Sequence, residues 1–140
     1  MRVYHCSATE GGEDYTLEQI DAWHRERGFK MVGYHFLVHP DGKIDIGRKL
    51  DMIGAHVRGH NRESVGICYI GGLRYGKPAD TRTPQQIHAL RAIDKILESL
   101  FPESKRVGHR DLSRDLNGDG VISPQEWMKS CPSFSAIDDF

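Results

Sequence analysis

The sequence predicts an α/β fold in which helices pack on one central, partly parallel sheet, and three observations carry that prediction. Two segments, Thr16 to Gly28 and Thr83 to Pro102, open with helix-start signals and continue with apolar residues at helical spacing. Ser64 to Ile70 is a continuous apolar run, the pattern of a strand buried on both faces. Short β-prone segments precede and separate these three.

In chain order, Arg2 to Cys6 reads as a first strand with His5 near its C-terminal end, leading into a loop, Ser7 to Tyr15, where Gly11-Gly12 permit a tight turn. Thr16-Leu17-Glu18-Gln19 is a capping-box pattern, Leu17, Ile20, Trp23 and Arg27 continue at helical spacing, and Gly28 stops the helix. Gly33 to His39 and Lys43 to Gly47 read as strands joined by a tight turn at Pro40-Asp41-Gly42. Period two places Tyr34, Phe36 and Val38 on one face and His35 and His39 on the other. Leu50 to Glu63 contains Gly54, His56, Gly59, His60 and Asn61 without sustained periodicity, so it is a loop of the kind that carries sites. The buried strand Ser64 to Ile70 makes Cys68 a core residue and ends at Gly71-Gly72. Thr83-Pro84-Gln85-Gln86 starts the second helix, whose stripe is Ile87, Leu90, Ile93, Ile96, Leu97 and Leu100.

Composition bounds the function. The 140 residues, 38% hydrophobic and 28% charged, fit one domain spanning residues 1–140, large enough to bury a core without metal or disulfide staples. A metal would therefore serve function. A net charge of −1 argues against nucleic acid as a partner. No apolar run approaches the ~18 residues of a membrane span, and no signal-peptide apolar region follows Met1, so neither membrane insertion nor signal-directed export is expected. Cys6, Cys68 and Cys131 are an odd number without framework spacing, which fits free thiols in a reducing compartment.

Eight histidines and three cysteines supply the possible transition-metal ligands. His24 and His88 are expected as half-exposed helix residues, and His35 and His39 as solvent-facing or hydrogen-bonded beneath a site. Cys6 faces away from His5 in a strand and reads as a small buried hydrophobe. That leaves His5, His109 in Val107-Gly108-His109-Arg110-Asp111 and Cys131 in Lys129-Ser130-Cys131-Pro132; spacing alone does not say whether they meet.

Context does bear on them. His5-Cys6-Ser7-Ala8-Thr9, Trp23-His24-Arg25-Glu26-Arg27-Gly28-Phe29, Val32-Gly33-Tyr34-His35-Phe36, Gly54-Ala55-His56 with Asn61, Ser64-Val65-Gly66-Ile67, Gly108-His109 and Cys131-Pro132-Ser133-Phe134 run in order along the chain. Together they resemble the type 2 N-acetylmuramoyl-L-alanine amidases, a family that includes small phage amidases and the peptidoglycan recognition proteins, and the match is close to the phage branch. The resemblance implies a mixed sheet of about five or six strands flanked by helices. It also implies zinc held by His5, His109 and Cys131. Three protein ligands leave tetrahedral zinc an open position, and its bound water can reach a pKa of ~7. A thiolate ligand accounts for the odd cysteine. By the same resemblance Tyr34 and Lys129 are catalytic, Lys129 stabilising an oxyanion and Tyr34 delivering a proton to the departing amine, with the general base unassigned. His56 and Asn61 fall in the segment resembling the family's cleft wall, as substrate contacts or as loop-bracing hydrogen-bond partners.

Between His109 and Cys131 a second metal pattern departs from the phage members, where this stretch is much shorter. Asp115 to Glu126 matches an EF-hand-like calcium loop: Asp115, Asn117 and Asp119 offer side-chain oxygens, Gly120 the turn, Val121 a backbone carbonyl, and Ser123 and Glu126 the remaining ligands. Gly108 to Ser113 does not read as an entering helix, so a lone calcium loop is expected. Calcium there would fold the insertion and thereby support Cys131 and Lys129.

The expected protein is a zinc-dependent amidase that cuts the bond between the lactyl group of N-acetylmuramic acid and L-alanine, acting as a monomer on peptidoglycan or muropeptide. A phage or prophage endolysin, held in the host bacterial cytoplasm until release to the cell wall, fits the absence of a visible signal peptide. The alternatives are a non-catalytic peptidoglycan-binding module, a muropeptide-recycling amidase, whose relatives carry a carboxylate where this chain has Cys131, and a calcium-regulated interaction protein.

Overall fold

The computed structural model describes residues 1–140. Its elements are β1 (Arg2–Cys6), β2 (Thr9–Glu10), α1 (Leu17–Glu26), β3 (Phe36–Val38), β4 (Ile44–Ile46), β5 (Val65–Tyr69), β6 (Gly72–Arg74), β7 (Lys77–Pro78), α2 (Pro84–Leu100) and β8 (Arg106–Gly108). The main sheet has the order β4-β3-β5-β1-β8. Only the β3–β4 pair is antiparallel; β3–β5, β5–β1 and β1–β8 are parallel, which makes the sheet mixed. No helix is long and apolar enough to cross a membrane.

Strand alternation sorts the core into two layers. Tyr4 and Cys6 of β1, Val65, Ile67 and Tyr69 of β5 and Val38 of β3 pack beneath Ala89, Leu90, Ile93 and Leu97 of α2, with Phe134 and Ala136 closing the cluster. On the other face Leu37, Cys68 and Ile70 meet Ile20 of α1 and Val32. His5 pairs in register with Cys68 and shares that second face. Both helices begin with capping boxes, at Thr16 and Thr83, that satisfy the first free backbone donors. A buried ionic cluster ties α2 to the sheet: Asp94 accepts from the Tyr4 hydroxyl at 2.8 Å and lies 3.3 Å from Arg2 and 3.1 Å from Arg106.

Several expectations need correction. The strand read from Gly33 to His39 starts only at Phe36, so the alternation does not reach Tyr34. Tyr34 packs against the α1-side cluster while Val38 lies in the α2-side cluster. The backbone of residues 33 and 34 is instead bonded to neighbouring loops, with Ala55 N–H donating to the Gly33 carbonyl and Arg48 N–H to the Tyr34 carbonyl, while His35 N–H already donates to the Gly66 carbonyl of β5. A small second sheet, β2-β6-β7, has no counterpart in the sequence reading, and neither does β8. Strands this short carry too few residues for a period to register. His109–Leu112, read as non-helical, forms a short 3-10 turn.

The insertion is closed at its base by its own contacts. Ser113 Oγ accepts the Met128 N–H at 3.0 Å, the Arg110 guanidinium sits 4.0 Å over the Trp127 ring, and Arg110 N–H donates to the Cys131 carbonyl at 2.9 Å. Tyr69, fully buried in β5, donates its hydroxyl to the Pro132 carbonyl at 3.0 Å. These contacts hold Cys131 from the base of the insertion, and the calcium role proposed below is confined to residues 115–126.

Candidate metal centre and cleft

β1 carries His5 to the C-terminal end of the sheet, where the side chain is 2% exposed. The parallel pairing of Tyr4 with Gly108 brings β8 alongside, and the following 3-10 turn presents His109. Asp111 Oδ2 accepts the Gly108 N–H at 2.7 Å and fixes that turn. The two imidazole rings lie 4.9 Å apart between centroids. Cys131 arrives from the far side of the insertion, its Sγ 3.7 Å from His5 Nδ1 and 3.3 Å from the Cys6 N–H. His5, His109 and Cys131 form the one group of three or more His, Cys, Asp or Glu side chains whose donor atoms all lie within 4.8 Å of one another.

The donor set is two imidazoles and one thiol, which suits zinc and leaves a fourth position open. Burial, followed by the neighbouring His56, His109 and Lys129, holds His5 well below the ordinary imidazole value. Burial and then Lys129 bring His109 down to about 4. Both rings are therefore neutral near pH 7 and keep a lone pair for a metal. Pairing with the Cys6 sulfur and burial raise the Cys131 thiol well above its usual range, so a bound cation is what would make it a thiolate.

These residues line one cleft of about 590 Å³, together with Tyr34, His56, Asn61 and Lys129. The Tyr34 ring lies 5.2 Å from both His5 and His24 between centroids. Burial and then the nearby cysteine thiols push its phenol well above the ordinary tyrosine value, so it keeps its proton. Lys129 is exposed at the cleft. His56 is only 9% exposed, and its Nδ1 lies 2.9 Å from His5 Nε2. Burial, then His35 and His109, bring it down to about 3. Asn61 braces this wall, its Oδ1 accepting the N–H groups of His56 and Val57 at 2.8 and 2.9 Å.

His24, expected half-exposed, is buried: its Nδ1 accepts the Gly33 N–H at 2.8 Å and its ring lines the cleft. His35 is hydrogen-bonded beneath the site, as one of its two expected roles, with Nδ1 accepting the Gly66 N–H and Nε2 meeting the Met52 carbonyl at 2.9 Å. His39 lies away from the cleft between Asp14 and Asp45. Gly54 and Gly66, which belong to two of the motifs above, owe their identity to packing. A Cβ on either would come within 2.5 Å of the His56 ring, and an isolated glycine inside a strand such as β5 is the cue for that kind of close approach.

In the insertion, Asp115 accepts the N–H groups of Gly118 and Gly120, Asn117 Oδ1 that of Asp119, and Asp119 that of Val121. Glu126 accepts from the Leu116, Asn117 and Ser123 amides and from the Ser123 hydroxyl. Its carboxyl is thereby held at about 2. Asp115, Asn117, Asp119, Val121, Ser123 and Glu126 thus share one closed loop, and its carboxylates do not form a second tight donor group.

Comparison with known proteins places these features in a family context. The family model described as N-acetylmuramoyl-L-alanine amidase matches residues 1–133. Over 131 residues the chain is 38% identical to the endolysin of Enterobacteria phage K11, covering 93% of this chain and 78% of that protein. The solved amidase LysC of Clostridium intestinale superposes with a TM-score of 0.73 at 27% identity, covering 96% of this chain and 76% of that one. A Drosophila PGRP-LB mutant in complex with tracheal cytotoxin superposes with a TM-score of 0.72 at 25% identity, covering 96% and 75%.

Proposed function

The chain belongs to the N-acetylmuramoyl-L-alanine amidase family and is an endolysin-like amidase, and from that premise we propose that it hydrolyses the lactyl–L-alanine amide of peptidoglycan with zinc held by His5, His109 and Cys131. The observation that carries this reading is the convergence of those three donors beside Tyr34 in a cleft of about 590 Å³. Zinc, when bound, supplies Lewis-acid activation of water and of the scissile carbonyl. The chain's own residues do the rest. The Lys129 ammonium at the cleft stabilises the charge that develops on the amide oxygen. Tyr34, which holds its proton, donates it to the leaving amine. For the same reason Tyr34 is a poor general base, and no other side chain is assigned that role.

Asp115, Asn117, Asp119, Val121, Ser123 and Glu126 are read as a calcium loop on the strength of their spacing and of the closed turn they form. Binding requires the Glu126 carboxylate oxygens to give up some of these N–H donors and turn to the ion. Calcium in a titration should raise protection of the 115–126 amides and leave zinc content unchanged; a calorimetric titration without heat removes this cofactor. The whole chain, residues 1–140, is proposed to act as one monomeric catalytic domain, made in the host cytoplasm and acting on the wall after release.

Digestion of purified sacculi, with soluble muropeptides in parallel, tests the reaction. New L-alanine amino termini without new reducing sugars are expected from sacculi. Reaction on soluble muropeptides alone would make the chain a recycling amidase, and binding without termini would make it a recognition module.

A further inference from the structure

We propose that His56 is a positioning residue for the metal centre: with Ser64, it fixes His5 in the tautomer whose Nδ1 is free to bind zinc. The inference rests on the zinc reading above and adds a residue that meets His5 at Nε2, the ring nitrogen other than the one facing Cys131. His5 turns Nδ1 toward Cys131 Sγ, at 3.7 Å, and Nε2 toward His56 Nδ1, at 2.9 Å. A neutral imidazole carries one proton, and a nitrogen that ligates a metal must be without it. Which nitrogen carries it is decided at the other end of a chain of hydrogen bonds.

That end is a backbone carbonyl. Ser64 Oγ lies 2.7 Å from the His60 carbonyl oxygen and 3.4 Å from His56 Nε2. A carbonyl only accepts, so the Ser64 hydroxyl donates to it and is left to accept from His56 Nε2–H. His56 Nδ1 is then the acceptor for His5 Nε2–H, and His5 Nδ1 holds a lone pair directed at the Cys131 side. Each step follows from the one before, so one obligate acceptor sets the polarity of the whole relay.

The ring that transmits this polarity is held from three sides. Asn61 Oδ1 fixes the His56 and Val57 amides. Gly54 and Gly66 flank the ring so closely that a Cβ on either would come within 2.5 Å of Cδ2. Neither glycine has a positive φ, so close approach rather than backbone conformation requires them.

The test measures zinc affinity by chelator competition on the full chain, for wild type, His56→Phe and His56→Asn, with circular dichroism confirming the fold. Phenylalanine keeps the ring and removes the acceptor, and zinc should bind about 10–100-fold more weakly. Asparagine returns an oxygen where Nδ1 sits and should restore most of that loss. Folded His56→Phe that binds zinc as wild type does, or His56→Asn no better than His56→Phe, overturns the proposal. A second readout needs no variant. In zinc-loaded wild type labelled with ¹⁵N-histidine, His5 should show a protonated Nε2 with scalar coupling to His56 Nδ1; a zinc-bound Nε2 on His5 overturns it. Wild type that takes up no zinc removes the zinc reading and this inference together, whereas normal zinc uptake with unaffected variants removes this inference alone.

Discussion

Gly66→Ala is a small change with a calculable consequence. All three nearest atoms to a Cβ built on Gly66 belong to the His56 ring: Cδ2 at 2.5 Å, Cγ at 2.6 Å and Nε2 at 2.9 Å. Gly66 lies in the central strand β5, whose neighbours β1 and β3 pair on both sides, so the strand cannot easily yield. The ring must move, and overpacking of this kind costs about 1–3 kcal/mol. With an unfolding entropy of about 2.1 cal/mol/K per residue, that lowers the melting temperature of a chain this size by about 3–10 °C. In a His56→Ala background the same methyl enters vacated space. There Gly66→Ala should be neutral or stabilising by about 0.5–1 kcal/mol, since glycine is unfavourable inside a strand. A double-mutant cycle by urea unfolding, run on metal-free protein so that zinc binding does not add to stability, should give a coupling of about 1–4 kcal/mol. Two effects that add to within about 0.5 kcal/mol would show that the His56 ring is not what keeps position 66 a glycine.

Other outcomes follow from the same geometry. Tyr34→Phe should lower turnover by about 10²-fold or more while zinc content stays at the wild-type level; retained turnover would remove Tyr34 as proton donor. Lys129→Ala should reduce kcat by about 10²–10³-fold, with kcat/KM falling in step because the contact is made in the transition state, and Lys129→Arg should recover part of it. A change confined to KM would assign Lys129 to substrate binding instead. Glu126 has its folded value lowered to about 2 from 4.5, so the stability it gives the 115–126 loop is complete above about pH 4.5 and is lost as pH falls toward 2. Amide exchange at Leu116, Asn117 and Ser123 should accelerate over that window beyond its intrinsic rate; flat protection factors would contradict the role given to this carboxylate.

The parts of the fold that were legible in the sequence are those with local signals. Thr16 and Thr83 announce α1 and α2 because a capping box is a short-range device, and the apolar run of β5 marks a strand buried on both faces. β8 and the strands of the second sheet have two or three residues each and are defined by backbone partners far along the chain, which no local period records. Alternation extended through residues 33 and 34 puts Tyr34 on the wrong face, because there the backbone carbonyls serve loops and the sheet is joined only from His35 onward. His24 illustrates the same limit. Its position on α1 was correct, but its burial depends on the Gly33 amide reaching back to its ring. The donor trio is different again: family resemblance named His5, His109 and Cys131, whereas their meeting requires the β1–β8 pairing and the Tyr69 and Arg110 contacts at the insertion's base. Gly66 did carry a readable signal, a glycine within an apolar strand, but what approaches it could be identified only from the structure.

The most direct test of the central claim is metal content measured alongside release of L-alanine amino termini from sacculi, for wild type, chelator-stripped wild type before and after zinc is returned, and Cys131→Ala. The account predicts about one zinc per wild-type chain. It also predicts that stripping abolishes activity, that added zinc restores it, and that Cys131→Ala neither retains zinc at that stoichiometry nor turns over. Full activity in the stripped protein, or in a Cys131→Ala protein without zinc, would contradict it.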